Sequence, residues 1–153
     1  MKNHSCITLF SLIILLISAC DPPPPLPKKK TVVLVERPEL VNENVAKIIA
    51  GTLSRFPASQ TLVLADDSLF ATSFILEFYK EQGYNSTWTK KGKLTIQGDS
   101  LSRLIHNAPV DGLISTDYHV EKIDSLLKKD KNSRKFDANK LAEADLLLTD
   151  AFF

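Results

Sequence analysis

The chain has 153 residues, 44% hydrophobic and 24% charged, which is the composition of one ordinary globular domain. A net charge of +1 lacks the basic excess that nucleic-acid binding requires, so no nucleic-acid partner is expected. Two cysteines, Cys6 and Cys20, set the limit of its thiol chemistry, and their positions decide what becomes of it.

Residues 1–19 read as a signal peptide. Lys2 gives a short positive start, and the apolar run from Ile7 to Ile17 has the length of a signal h-region, too short to span a bilayer comfortably. Ile17-Ser18-Ala19-Cys20 resembles the lipobox of bacterial lipoproteins. The small residues there let a peptidase hold the backbone beside the Cys. An ordinary signal peptide cut near Ala19 would leave a plain Cys, but the Cys position, its flanks and the sequence that follows favour the lipobox. The resemblance implies lipidation of Cys20, a membrane partner through that lipid, and a place in the bacterial envelope outside the cytoplasm. Asp21 is the residue that retains lipoproteins at the inner membrane in enteric bacteria, a rule that is not general, so inner and outer membrane both stay open. Cys6 leaves with the signal and Cys20 is consumed by lipid, so no thiol remains for a disulfide, a nucleophile or a metal. The signal holds one Lys and no acid, so its loss leaves 18 basic residues against 18 acidic ones.

Residues 20–40 form the lipidated Cys and a tether. Five prolines within residues 22–27 favour an extended polyproline II form. Lys28, Lys29 and Lys30 fit an anionic lipid surface, but such a run is more often simply solvated, and that reading is preferred. "TVVLVER" (31–37) is β-branched and suits a short strand.

Residues 41–153 make the folded domain. The spacing of Val45, Ile48, Ile49 and Leu53 predicts a helix from about Asn42 to Arg55, ended by Pro57. "QTLVLADD" is a strand or a lead-in to the next helix. That helix runs to Gly83, capped by Asp67 or Ser68, with Leu69, Phe70, Phe74, Ile75, Phe78 and Tyr79 on one inward face. "YNSTWT" reads as extended, with Tyr84 and Trp88 as anchors, and "KKGK" as a turn. A third helix is expected after Asp99, with Leu101, Leu104 and Ile105 inward. Pro109 and Gly112 mark a turn. A fourth helix follows Ser115 or Thr116, with Val120, Ile123, Leu126 and Leu127 inward and lysines at its end. The last helix starts at the N-cap Asp137, with Phe136 and Leu141 placed for a hydrophobic staple. Its apolar face carries Leu141, Ala144, Leu148, Ala151 and Phe152, and one polar member, Asp145. The fold class is therefore mostly α (α+β): a small helical domain with one or two short strands.

Catalytic constellations are weak. Asp117 and His119 lie two apart, which does not bring side chains together on a helix. The two histidines after the signal, His106 and His119, without a further ligand motif make no zinc site, and no cofactor is expected. The acid pairs Asp66-Asp67 and Glu143–Asp145 fall in cap or helix settings, which disfavours a hydrolase built on two carboxylates. Tyr79, Tyr84, Trp88 and Tyr118 suit core packing better than sugar stacking. Asp111-Gly112 is a turn. Asp145, on an apolar face, requires a polar partner, and the Asp111-Gly112 turn is the candidate.

Three stretches, "FYKEQGYNSTW" (78–88), "LIHNAPVDGL" with "DYH" (104–113, 117–119) and "LAEADLLLTDAF" (141–152), together resemble the N-terminal scaffold domain of large bacterial L,D-transpeptidases. The resemblance covers about residues 60–153. Lys80 and Gln82 depart from it, since members often carry Gln or Ala and Arg there. It implies Tyr79, Tyr84, Trp88, Asp111, Gly112, Tyr118 and Asp145 as structural motif residues. The family's catalytic Ser-His-Gly-Cys signature does not occur in these 153 residues. The expectation is a lipid-anchored scaffold for peptidoglycan cross-linking, not an enzyme as it stands, and truncated at its C-terminus. The alternative is a stand-alone peptidoglycan- or partner-binding lipoprotein. Ala151, Phe152 and Phe153 further suggest self-association through the C-terminal helix, or packing on a cell-wall enzyme.

Overall fold

The computed structural model describes residues 31–57, 60–64, 67–128 and 134–153, and Thr31–Phe153 form one unit. The signal segment, Cys20 and residues 21–30 lie outside the described residues. Five α-helices and six two-residue strands follow in the order β1 (Leu34–Val35), α1 (Pro38–Leu53), β2 (Val63–Leu64), β3 (Asp67–Ser68), α2 (Thr72–Glu81), β4 (Thr89–Lys90), β5 (Lys93–Leu94), α3 (Ile96–Asn107), α4 (Val120–Leu127), β6 (Phe136–Asp137) and α5 (Ala138–Phe152). Single 3-10 turns at Ala108–Asp111 and Ser115–Tyr118 join α3 to α4. The domain is mostly helical, and among the described residues the strands form three antiparallel pairs: β1 with β6, β2 with β3, and β4 with β5.

The centre of the fold is α5. Every residue from Leu141 to Asp150 is buried, and α1, α2, α3 and α4 all pack on this helix. Sequence periodicity predicted one apolar face, but the helix is enclosed on all sides. Its composition allows this: Ala138, Ala142 and Ala144 let neighbours approach, while Leu146, Leu147 and Leu148 fill the space between them. Glu143, Asp145, Thr149 and Asp150 are buried as well, so each needs a partner inside the protein.

Other elements differ from the sequence expectation for local reasons. Helix α1 begins at Pro38, not Asn42, because proline is pre-set for the first helical position. Val41, Val45, Ile49 and Leu53 are its buried stripe, each worth about 1.5–3 kcal/mol of burial. Asp67 and Ser68 pair with β2 instead of capping α2, which starts at Thr72. Only Leu69, Ile75 and Tyr79 of the expected inward face are buried; Phe70 and Phe74 are 80% and 58% exposed. Helix α3 is capped by the Thr95 hydroxyl accepting from Gly98 N–H, so Asp99 lies inside the first turn. Leu104, expected inward, is 68% exposed. Ser115 and Thr116 begin a 3-10 turn, and α4 starts only after His119 turns left-handed at φ 55°. Asp137 does cap α5, accepting from the amides of Asn139 and Lys140. Lys91 and Gly92 form the two-residue β4–β5 turn, both with positive φ, as a type I′ hairpin requires.

Candidate functional site

Helix α5 presents Asp145 and Thr149, one turn apart, towards α2 and the segment before β4. The Asp145 carboxylate receives five hydrogen bonds. Its Oδ1 accepts from Tyr79 Oη at 2.8 Å and Thr87 N at 2.9 Å. Its Oδ2 accepts from Trp88 N at 3.1 Å, Thr89 N at 2.8 Å and Thr89 Oγ1 at 2.9 Å. Trp88 Nε1 donates to Thr149 Oγ1 at 2.9 Å, and the Tyr79 and Thr149 hydroxyls lie 2.8 Å apart. Tyr84, at φ 62°, folds the chain back by donating its amide to Tyr79 O at 2.7 Å. Tyr79, Trp88 and Asp145 are thereby one connected polar centre inside an apolar core.

An acid in this position accepts all five bonds only as a carboxylate. Burial pushes its pKa above the ordinary carboxylate value, while bonds from Thr87, Tyr79 and Thr89 pull the other way. The Tyr79 phenol is raised well above its ordinary value, first by burial and then by the Asp145 charge, so it stays a donor. Both oxygens of Asp145 are engaged, and the group holds three segments in register.

The expected partner of Asp145 was the Asp111-Gly112 turn; its hydrogen bonds go instead to residues 79 and 87–89. Asp111 is exposed, and Gly112, at φ 79°, ends its 3-10 turn. Tyr118 is half-buried against the core and makes no bond to this centre. Sequence reasoning missed a second polar pair. His119 Nε2 lies 2.8 Å from Asp150 Oδ2, both buried, and Asp150 Oδ1 accepts from Ala71 N at 2.7 Å. The acid of His119 is thus Asp150, 31 residues away, and not Asp117. The pair ties α5 to the chain before α2 and to the junction before α4. His119 also borders a cavity of about 430 Å³ with Thr116, Lys122 and Ser125. Among the described residues, no three His, Cys, Asp or Glu side chains gather as metal ligands would.

These features define a small helical packing unit whose buried polar groups bond one another. Residues 73–153, more than half of the chain, match the family model described as Scaffold domain, and the chain belongs to that family. That span takes in Tyr79, Trp88, Thr89, His119, Asp145, Thr149 and Asp150, the polar side chains of both centres. No match was found among curated proteins or among solved structures.

Proposed function

We propose that this protein is a lipid-anchored, non-catalytic scaffold of the L,D-transpeptidase type, serving peptidoglycan cross-linking in the bacterial envelope. The carrying observation is the Scaffold domain match across the span that builds the Asp145 centre. The lipobox-like Ile17–Cys20 supports the anchor, and the sequence resemblance supports the L,D-transpeptidase type. In this reading Asp145, Tyr79 and Trp88 keep a rigid body rather than turn over substrate. Purified full-length protein therefore leaves tetrapeptide muropeptides unchanged; metal-independent transpeptidation or carboxypeptidation overturns the proposal. Globomycin treatment makes an unprocessed precursor accumulate if Cys20 is acylated, and no precursor refutes the anchor. Firm sedimentation with purified sacculi would favour a peptidoglycan-binding lipoprotein instead.

The scaffold's partner surface is the ring cluster at the end of α5. Phe153 lies 5.4 Å from Phe74 and 5.8 Å from Phe78, centroid to centroid, and Phe152 lies 5.4 Å from Trp88. Phe74, Phe152 and Phe153 still expose more than half of their surface. A second copy packing ring on ring is the proposed occupant. Sedimentation velocity then shows a dimer that Phe74→Ser with Phe153→Ser dissolves; a monomer at all concentrations excludes it.

A further inference from the structure

The 128–140 stretch and the distant β4–β5 turn bring lysines to one face. Lys128, Lys135 and Lys140 line a cavity of about 240 Å³ whose apolar wall includes Leu34, Leu127 and Phe136. Gly92 lines it too, and it approaches the Phe136 ring so closely that a Cβ there would overlap the ring. This contact seats the β4–β5 turn at the rim, with exposed Lys91 and Lys93 on either side of Gly92. Two acids at this face, among the described residues, are already engaged. Asp137 is spent on the α5 N-terminus, and Glu36 lies 2.9 Å from Lys135 Nζ.

The chain enters the fold at this same rim. Thr31 O accepts from Asn139 Nδ2 at 2.9 Å, one residue before Lys140, and β1 pairs with β6 along the cavity edge. Eleven Cα–Cα steps, over the ten residues 21–30, separate Cys20 from Thr31. Even fully extended they span at most about 40 Å. An acyl chain on Cys20 would therefore keep the rim where the chain enters within about 40 Å of the bilayer. Leu34, in the cavity wall, stands exposed, as does Val32 just before β1. Lysine stems lying on apolar surface with their ammonium heads outward suit a headgroup layer.

We infer that the lysine-rimmed cavity face is the surface this domain turns to the membrane, where it takes anionic phospholipid headgroups. The inference rests on the lipid anchor proposed above. It goes further, because an anchor alone leaves the domain free to tumble on its tether. Each lysine at an anionic surface strengthens partitioning about fivefold.

The test uses the protein extracted from the cell envelope and reconstituted in vesicles of phosphatidylcholine alone or with phosphatidylglycerol. Flotation with both vesicles reads the anchor. A membrane-impermeant amine reagent with peptide mapping reads the face. Lys91, Lys93, Lys128 and Lys140 should react about fivefold more slowly on the anionic vesicles, with Lys47 of α1 and Lys80 of α2 unchanged. Joint Lys91→Gln, Lys128→Gln and Lys140→Gln substitution, all exposed positions, should abolish the protection at Lys93 without lowering Tm. Protein that floats but shows equal lysine reactivity on both vesicles overturns the inference and leaves the anchor standing. Protein that does not float overturns both. Equal protection by inorganic phosphate over phosphatidylcholine vesicles also overturns it, because the face would then bind free anions.

Discussion

Tyr79 and Asp145, 66 residues apart in sequence, meet at 2.8 Å with the tyrosine hydroxyl donating to the carboxylate, and both side chains are fully enclosed. This bond joins α2 to the central helix. The amides of Thr87, Trp88 and Thr89 complete the shell from the turn between them. A buried charge is tolerated only when so compensated, and removing one partner costs more than the pair contributes.

Asp145→Ala should therefore destabilise the domain by roughly 3–5 kcal/mol, since the amides and the phenol lose their common acceptor. Asp145→Asn keeps the shape but turns an N–H toward other donors, and should cost somewhat less, about 2–3 kcal/mol. Tyr79→Phe removes the bond to the charged carboxylate and the hydroxyl contact with Thr149, about 1.5–3 kcal/mol. Urea denaturation checks all three. Unchanged midpoints for both Asp145 variants would show that the carboxylate does not hold the core.

How far the sequence foretold this centre depends on the residue. Asp145 stood out as a lone acid on an apolar face, and the need for a partner followed from burial alone. The partner itself did not follow, because the segment at 87–89 reaches Asp145 only once α2 and α5 have packed. His119–Asp150 left no local signal either: one member sits at a left-handed junction, and its acid lies 31 residues further along, on another helix. Phe70 and Phe74 were misplaced for a different reason. Helix α2 meets α5 along the narrow Thr72, Ile75, Tyr79 stripe, so periodicity overestimated the buried width. The three antiparallel pairs have two residues per strand, below what alternation can reveal.

The second polar pair makes a graded prediction. Asp150→Ala strands the Ala71 amide and one ring nitrogen of His119, and should cost roughly 2–3 kcal/mol. Asp150→Asn can still accept from Ala71 and donate to the imidazole, so about half that loss is expected. At His119 the backbone matters as well. His119→Asn tolerates φ 55°, whereas His119→Val places a β-branched residue there and should be the worse of the two. Equal thermal shifts for Asn and Val would mean that the left-handed junction is not maintained in solution.

Stability should depend on pH through His106. Its Nδ1 lies 2.6 Å from Ser102 O and its Nε2 3.0 Å from Asp124 Oδ2, and the carbonyl first, then the carboxylate, raise its pKa above 6.5. The folded protein therefore holds this proton more tightly than the unfolded chain. The stabilisation is fully present below 6.5 and is lost as pH rises through the elevated folded value. The urea-midpoint gap between wild type and His106→Gln should be wider at pH 6 than at pH 8.5. Because the pair is solvent-exposed, added salt should narrow it. A gap independent of pH would show that the imidazolium makes no net contribution.

Three glycines should respond to alanine in opposite ways. Gly98, in the first turn of α3, packs directly beneath the Trp88 carbonyl, and a Cβ would intrude well inside contact distance of that oxygen. The obstacle is backbone, and that backbone is held by Asp145 through the Trp88 amide. Gly98→Ala must therefore shift α3 or loosen the polar centre, costing roughly 1–3 kcal/mol or more. Gly112 has open space around it but sits at φ 79°, so alanine there meets only backbone strain, about 1 kcal/mol. Gly51 lies inside α1 with nothing near its absent Cβ, and alanine should stabilise by about 0.5–1 kcal/mol through helix propensity. The order of Tm values, Gly51→Ala above wild type, then Gly112→Ala, then Gly98→Ala, tests the packing at each site. A Gly98→Ala protein as stable as wild type would mean that α3 does not press on the Trp88 turn, and that the Asp145 centre is less tightly confined than its geometry requires.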